Sequence, residues 1–183
     1  MGAELRLVVP SATWGESYRN ALEKGWSPST LHDRSKAALA HLLEKPEEHY
    51  ATMRGGMPAP SAAGDGQQGP RASMLGRWMW DGDYCGWITL RYMANGEMLP
   101  PHILGNIGYS VVSWKQNRGY ATQALLLMMQ EARHLGLRQL RVVCVPENAA
   151  SIRVLEKCGA RYCETRVFAE YEPTPRALFE LAL

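Results

Sequence analysis

The segment from Val111 to Thr122 combines a strand-like start, a basic turn and the start of a helix. The first amides of a helix have no partners within the helix, and the helix dipole places about half a positive charge there. Gly119 lets a ligand approach the backbone closely, and Lys115 and Arg118 are expected to attract an anion at the rim. These residue types therefore predict a site for a diphosphate group.

A glycine and an arginine can also simply connect a strand to a helix, and that interpretation stays the alternative. Neither the G-x-x-x-x-G-K-[ST] string of a P-loop nor the G-x-G-x-x-G string of a dinucleotide-binding turn occurs in the chain. The sequence therefore excludes the two commonest phosphate-binding motifs.

Hydrophobic periodicity predicts the elements that position this segment. Apolar residues at helical spacing predict a helix over 119–135, ended by Gly136, and the turn Asp81-Gly82-Asp83 predicts a hairpin of strands 74–80 and 84–93. The other predicted strands are 5–9, 102–112, 140–145, 161–168 and 177–183, and the other helices are 11–24, 28–46 (ended by Pro46) and 146–159. The order β-α-α-β-β-β-α-β-α-β-β indicates a mixed α/β domain.

Length and composition predict one soluble domain over 1–183, interrupted by a mobile loop at about 55–73 that is rich in Gly, Pro, Ala, Ser and Gln. The net charge of +2 gives no reason to expect a nucleic-acid partner. Without a secretory or membrane-spanning segment, a cytoplasmic protein with no membrane partner is expected. The four cysteines lack paired spacing, which favours reduced thiols and no metal site.

Two strings in the second half resemble a known family. Gln116-x-x-Gly119-x-Ala121 is similar to the Q/R-x-x-G-x-G/A signature of the GCN5-related N-acetyltransferases, the GNAT superfamily. The segment from Asn148 to Gly159 is similar to its second signature, N-x-x-[SA]-x-x-x-[YIL]-E-K-x-G. The resemblance covers 106–161 well. More loosely, 78–108 is similar to a subgroup of mostly uncharacterised bacterial acetyltransferases, and about the first 70 residues match only in element order.

The resemblance implies the GNAT acyl-CoA N-acyltransferase fold, in the mixed α/β, α+β-like class. Its central, mostly antiparallel sheet has six to seven strands, splays between strands 4 and 5, and is accompanied by about four helices. Acetyl-CoA is the implied cofactor, with its pantetheine arm in the slot between the splayed strands. Backbone groups of Val111 and Val112 would bind that arm, with one amide at a strand bulge facing the thioester oxygen.

The resemblance also assigns the rest of the cofactor site. The amides expected to hold the diphosphate are those of Gln116, Asn117, Arg118, Gly119, Tyr120, Ala121 and Thr122. Asn148 and Ser151 would reach the pantetheine arm, and Lys157 would lie near the adenosine end. Asn148 could equally be a helix cap, and one side chain can serve both purposes.

The implied reaction is transfer of an acetyl group from acetyl-CoA to a primary amine of a small molecule or peptide, by direct attack in a ternary complex. Glu97 and His102 are the candidate bases, although each could instead lie on a solvated loop. Many members place a tyrosine, which protonates the departing thiolate, where this chain has Leu155. The candidate substitutes, which could instead be packing residues, are Tyr109, Tyr120 and Tyr162.

Several alternatives stay open at this stage. Six aromatic residues on the implied acceptor side line either a pocket or the core: Trp14, Tyr18, Trp26, Trp78, Trp80 and Trp87. The alternative function is a non-catalytic acyl-CoA-binding or regulatory module, and a nucleic-acid-binding protein is a distant third. A monomer and a homodimer fit the sequence equally.

Overall fold

The computed structural model describes residues 4–29, 32–55, 72–94, 99–100, 103–168 and 174–183. The strands are β1 (Arg6–Val8), β2 (Ser73–Trp80), β3 (Tyr84–Tyr92), β4 (Ile107–Val111), β5 (Gln139–Cys144), β6 (Arg161–Val167) and β7 (Pro175–Ala182). The α-helices are α1 (Gly15–Glu23), α2 (Ser35–Glu44), α3 (Pro46–Arg54), α4 (Tyr120–His134) and α5 (Ala149–Lys157). The predicted hairpin is confirmed as β2 and β3.

The helix count departs from the sequence prediction at Pro46. We expected this proline to end one long helix, but α2 ends at Glu44 and Pro46 is the first residue of α3. Proline suits that position because the missing N–H would have no partner in the first turn. The described chain therefore has five α-helices rather than about four.

The described strands form two antiparallel sheets. The first has the order β1-β2-β3-β4 and the second the order β5-β7-β6. The prediction of a splay between strands 4 and 5 is confirmed, since this is where the sheets separate and no ladder pairs β4 with β5 in the part described. The separation leaves a wedge, defined here as the space between β4 and β5.

Asn106 closes one end of the wedge. Its N–H donates to the carbonyl of Arg141 at 2.7 Å, and its side-chain Oδ1 accepts from the N–H of Arg141 at 2.7 Å. On the other side its carbonyl accepts from the N–H of Arg91 at 2.7 Å, and Nδ2 donates to the carbonyl of Arg91 at 2.9 Å. One residue therefore bonds to β3 and β5 at once, and its side-chain amide serves as a second peptide group.

Two apolar layers hold these elements. One core joins both sheets beneath α4 and α5 and includes the fully buried Leu125, Leu140 and Leu155. The other packs α1, α2 and α3 on the opposite face of the first sheet. Four of the six aromatic residues in question belong to this second core with exposures of 8% or less, namely Tyr18, Trp26, Trp78 and Trp80. The core interpretation is confirmed for these four.

Several predictions concern residues outside the described part of the chain. The predicted loop at 55–73 falls mostly there: Gly55 ends α3, Ser73 begins β2, and 56–71 lie outside the described residues.

In the described part, all four cysteines are free and no group of three or more side chains is arranged to hold a metal ion. No described helix combines the length and apolar character needed to cross a bilayer.

The bonding of Asn106 predicts a large effect on stability. Asn106→Ala removes the side-chain hydrogen bonds to the carbonyl of Arg91 and from the N–H of Arg141, so we expect the free energy of unfolding to fall by about 1–3 kcal/mol. Asn20→Ala, on the exposed surface of α1, is the control and should change it by less than about 0.5 kcal/mol. Urea denaturation measures both, and equal effects would contradict the role given to Asn106.

Candidate active site

The wedge side of β4 presents main-chain groups that the ladder with β3 does not use. The N–H of Val112 donates to the carbonyl of Cys85 at 2.9 Å. The preceding pair, Val111 with Gly86, is therefore one that exchanges no hydrogen bonds, and the alternation of an antiparallel ladder puts Tyr109 in the same situation. The N–H and carbonyl groups of Tyr109 and Val111 thus point away from β3 and into the wedge.

This alternation corrects the expectation for Val112. Its N–H is bonded to β3, and its carbonyl accepts from the N–H of Lys115 at 3.0 Å, so both polar groups are used within the protein. The expected bulge is also missing, because the described β3–β4 ladder is regular from Ile107 to Val111. The backbone groups available to a ligand belong to Tyr109 and Val111.

The bend that leads into α4, residues 116–119, and the first turn of α4 carry a series of free amides. Among the hydrogen bonds of the described residues, the six N–H groups from Asn117 to Thr122 have no acceptor. Asn117 and Gly119 adopt left-handed φ values of 61° and 79°, a conformation that turns neighbouring N–H groups toward a common side. No side chain caps α4, and its first turn holds no acidic residue. The bend therefore presents unsatisfied donors and a positive helix end to solvent.

Gln116 directly precedes this group of amides, and Arg118 lies within it. The N–H of Gln116 donates to the carbonyl of Ser113 at 3.4 Å, and its Nε2 donates to the carbonyl of Val111 at 3.2 Å. The free amides thus begin at Asn117 rather than at Gln116. Arg118 is exposed, with Nη2 donating to the carbonyl of Trp114 at 3.4 Å, so its guanidinium lies at the rim as expected.

Lys115 does not lie at the rim, and this expectation is wrong. Its side chain is buried, with Nζ 2.7 Å from Oδ1 of Asp81 in the turn between β2 and β3. The hydroxyl of Tyr120 donates to the other oxygen, Oδ2, at 2.6 Å. Burial raises the pKa of Asp81, but the hydrogen bonds from Lys115 and Tyr120 outweigh it and lower that pKa to about 2. The carboxylate is therefore charged at neutral pH.

Helix α5 forms the opposite wall of the site. Oδ1 of Asn148 accepts from the N–H of Ser151 at 3.0 Å, so the cap interpretation of Asn148 is confirmed. The Ser151 hydroxyl lies 2.8 Å from the hydroxyl of Tyr109, which links α5 to β4. At the other end, Sγ of Cys158 donates to the carbonyl of Thr122 at 3.7 Å. The helix therefore runs from the middle of β4 to the bend.

Lys157 occupies the end of α5 that lies beside the bend. It is exposed in the last turn of the helix and directly precedes Cys158, whose thiol contacts the start of α4. The exposed side chain of Lys157 therefore lies at the end of α5 next to the first turn of α4.

The structure separates the three candidate tyrosines. Tyr162 is 53% exposed on β6, the strand of the second sheet farthest from β4, and its hydroxyl lies 3.0 Å from Oγ1 of Thr165. The hydroxyl of Tyr120 is bonded to Asp81. Only Tyr109 among the three brings its hydroxyl between β4 and α5, where burial, although opposed by the hydrogen bond to Ser151, raises its pKa to about 12.

Glu97 and His102, the candidate bases, lie outside the described residues, so their roles stay predictions. Sequence reasoning missed two residues that shape the site, Asp81 and Asn106. Asp81 was interpreted only as part of a turn, and its partner Lys115 lies 34 positions away along the chain. No local pattern in the sequence indicates that contact.

Comparison with known proteins agrees with this geometry. The model of the acetyltransferase (GNAT) domain family matches residues 32–161, more than two thirds of the chain. A search of curated protein sequences gives no significant match.

Solved structures share the fold. RimJ from Mycobacterium smegmatis, in complex with CoA-disulfide, is 23% identical with a TM-score of 0.60, covering 97% of this chain and 80% of that one. The acetyltransferase from Salmonella typhimurium that modifies the N-terminal serine of 50S ribosomal subunit protein L7/L12 is 15% identical with a TM-score of 0.61, covering 98% and 95%. The microcin C7 self-immunity acetyltransferase MccE, in complex with acetyl-CoA and AMP, is 12% identical with a TM-score of 0.58, covering 98% and 93%.

Identities this low show a common fold and no more, whereas the family match extends over most of the chain. Free amides at the start of a helix such as α4 suit the binding of a phosphate or diphosphate group. The chain belongs to the acetyltransferase (GNAT) domain family.

Proposed function

We propose that this protein transfers the acetyl group of acetyl-CoA to a primary amine, by direct attack of that amine in a ternary complex. The observation that carries the proposal is the set of six consecutive free amides from Asn117 to Thr122 at the uncapped start of α4. A diphosphate satisfies several such donors at once and is stabilised by the positive helix end. Arg118 on the bend adds positive charge there, and Lys157, at the end of α5 next to the first turn of α4, is the proposed contact for the adenosine end.

The pantetheine arm would lie in the wedge. Its two amide groups match the main-chain groups of Tyr109 and Val111 that the ladder with β3 does not use, in the way that an added strand pairs with a sheet edge. The side chain of Gln116, which donates to the carbonyl of Val111 at 3.2 Å, would leave that carbonyl to the ligand. In this arrangement the thioester lies near the middle of β4, beyond the arm and away from the bend.

The hydroxyl pair of Tyr109 and Ser151 is the proposed proton source for the departing thiolate. The two oxygens are 2.8 Å apart between β4 and α5, at the depth at which the thioester would lie. Because the pKa of Tyr109 is raised to about 12, its hydroxyl is protonated at neutral pH and can donate. Leu155, at the position where many family members have a tyrosine, is fully buried and has no proton to give. Glu97 and His102 remain the proposed bases.

A peptide with a free N-terminus is the first acceptor to test. The Salmonella typhimurium neighbour modifies the N-terminal serine of a ribosomal protein, and another structural neighbour is described as a putative ribosomal-protein-serine acetyltransferase from Vibrio cholerae, with 18% identity. Small-molecule amines are the second group. The described part of the acceptor-side layer is filled by its own aromatic side chains, so those rings do not select between the two groups.

The free amides predict how the protein responds to a charged substitution. CoA should raise the melting temperature of the wild-type protein, because a ligand that binds only the folded state stabilises it. Gly119→Glu should abolish that shift, since it adds a carboxylate beside the amides. Gly136→Glu is the matched control: Gly136 follows the other end of α4 with the same φ of 79° and has no atom near its missing Cβ.

Thermal unfolding with and without CoA measures these effects. Both variants carry the same backbone strain and the same charge, so a difference between them reports on the site alone. A Gly119→Glu protein that keeps the full CoA shift would contradict the proposed cofactor site, as would a wild-type protein that shows no shift.

The proposed reaction predicts release of free thiol from acetyl-CoA that depends on an acceptor amine. A panel of N-terminal peptides, amino acids, polyamines and aminoglycosides should contain at least one stimulating member, with peptides giving the largest rate. The same peptides with acetylated N-termini are the control and should give only the background rate. If no amine stimulates release while CoA still binds, the protein is an acyl-CoA-binding module rather than an enzyme on these substrates.

The proton-donor role predicts a selective kinetic defect. Tyr109→Phe keeps the ring and removes the hydroxyl, so kcat should fall about 100-fold or more while KM for acetyl-CoA stays nearly constant. Tyr162→Phe, which removes an exposed hydroxyl on β6, is the control and should match wild type. An unchanged kcat in Tyr109→Phe would show that the thiolate leaves without this hydroxyl.

A further inference from the structure

The carboxylate of Asp81 connects the two ends of the diphosphate-binding bend. Oδ1 accepts from Nζ of Lys115 at 2.7 Å, and Oδ2 accepts from the hydroxyl of Tyr120 at 2.6 Å. Lys115 directly precedes the bend and Tyr120 begins α4. One side chain in the turn between β2 and β3 thus fixes the residues on both sides of the bend, and we call this contact the Asp81 bridge.

The Asp81 bridge is itself held in place. The side chains of Asp81 and Lys115 are only 13% and 11% exposed. The N–H of Asp83 donates to Oδ1 of Asp81 at 3.2 Å, and the N–H of Asp81 donates to the carbonyl of Asp83 at 3.3 Å. The hydroxyl of Ser17, on α1, donates to the carboxylate of Asp83. The bridge therefore rests on a folded turn that is anchored to α1.

Few other contacts hold the shape of the bend. Its residues from Gln116 to Gly119 are exposed, and the amides from Asn117 to Thr122 donate no hydrogen bond within the described protein. The other hydrogen bonds that the bend donates run from Gln116 to Ser113 and Val111 and from Arg118 to Trp114, at 3.2–3.4 Å. A mobile segment with these features would lose conformational entropy when it binds a ligand, and that loss weakens binding. Fixing both ends of the bend removes much of this cost before the ligand arrives.

The charge of the Asp81 carboxylate is paired with Lys115, and the more exposed carboxylate of Asp83 lies farther from the same ammonium group, with Oδ2 3.8 Å from Nζ. An unpaired carboxylate beside the start of α4 would repel a diphosphate, but the ammonium group of Lys115 neutralises it at 2.7 Å. Lys115 therefore reduces the repulsion between the Asp81 carboxylate and a bound diphosphate, and it does not contact the diphosphate itself.

We propose that Asp81 is a positioning residue for cofactor binding: through Lys115 and Tyr120 it holds the bend in the conformation in which its amides bind the diphosphate. The proposal rests on the proposed cofactor site. It assigns Asp81 no contact with acetyl-CoA, so its effect must reach the ligand through the bend.

Three variants remove progressively more of the Asp81 bridge. Tyr120→Phe removes one hydrogen bond and leaves the amide of residue 120 in place, Asp81→Asn removes the charge with little change of shape, and the third variant combines both. The dissociation constant of CoA, measured by calorimetry, should rise about three- to tenfold in each single variant. Because both substitutions break the same bridge, the double variant should bind little more weakly than Asp81→Asn.

The control breaks a similar ion pair elsewhere on the same helix. Arg77 on β2 and Glu131 on α4 form a pair 2.8 Å apart with exposures of 18% and 28%, about three turns from the bend. Glu131→Gln should lower stability without changing the dissociation constant of CoA. A loss of affinity in this variant equal to that of Asp81→Asn would show that general destabilisation explains the effect.

A truncated substrate separates positioning from structural damage. S-acetylpantetheine ends before the diphosphate, so kcat/KM for this donor should be the same in wild type and in the bridge variants, while kcat/KM for acetyl-CoA falls about three- to tenfold. If both donors lose activity equally, or if CoA binds the variants as tightly as wild type or more tightly, the positioning role is wrong. Should Asp81→Asn fail to fold, Tyr120→Phe carries the same test.

The outcomes also distinguish this inference from the proposed function. A wild-type protein that binds no CoA contradicts the cofactor site, and the positioning role with it. A wild-type protein that binds CoA, with bridge variants that bind it equally well, contradicts the positioning role alone.

Discussion

Every N–H and carbonyl group of a strand needs a partner, and β4 finds partners on only one side. Asn106 satisfies β3 and β5 together, so the two sheets are joined at that point. Beyond it β5 departs, and the outward groups of Tyr109 and Val111 face an open wedge. The proposed cofactor site is thus an unfinished sheet, which a ligand with amides spaced along an extended arm would complete.

The bend could be predicted from the sequence because its chemistry is local. A glycine before a helix and the lack of a capping side chain leave the first amides unsatisfied wherever the helix packs. The sequence could not predict which residues of β4 bond to β3 and which present their main-chain groups to the wedge, because the residue pattern does not say which strand residues exchange hydrogen bonds. The sequence analysis therefore assigns backbone groups of both Val111 and Val112 to the pantetheine arm, although the N–H of Val112 is bonded to the carbonyl of Cys85. Lys115 was misplaced because its partner is distant in sequence.

At the level of the fold, the residues themselves predicted the elements with strong local signals, whereas the splay between strands 4 and 5 followed only from the resemblance to the family. The β2–β3 hairpin and α4 agree within one or two residues, because turn residues and helical spacing define them. The point at which the two sheets join depends on one asparagine, Asn106, that bonds in two directions. Nothing in the sequence around Asn106 distinguishes it from any other asparagine. Tyr18 and Trp78 stack at 4.4 Å in the core, a contact that no pattern along the chain distinguishes from a pocket wall.

Leu155 stands where many family members have a tyrosine, yet a phenol hydroxyl still lies between β4 and α5. Residues 151 and 155 are one turn apart on α5 and therefore share a face, and side chains on a helix lean toward its N-terminus. A tyrosine at 155 would accordingly extend its hydroxyl toward Ser151. In this chain the hydroxyl of Tyr109 reaches Ser151 from β4, at 2.8 Å, while Leu155 fills the core behind it. The same face of α5 thus keeps a phenol hydroxyl, supplied from the opposite wall of the wedge.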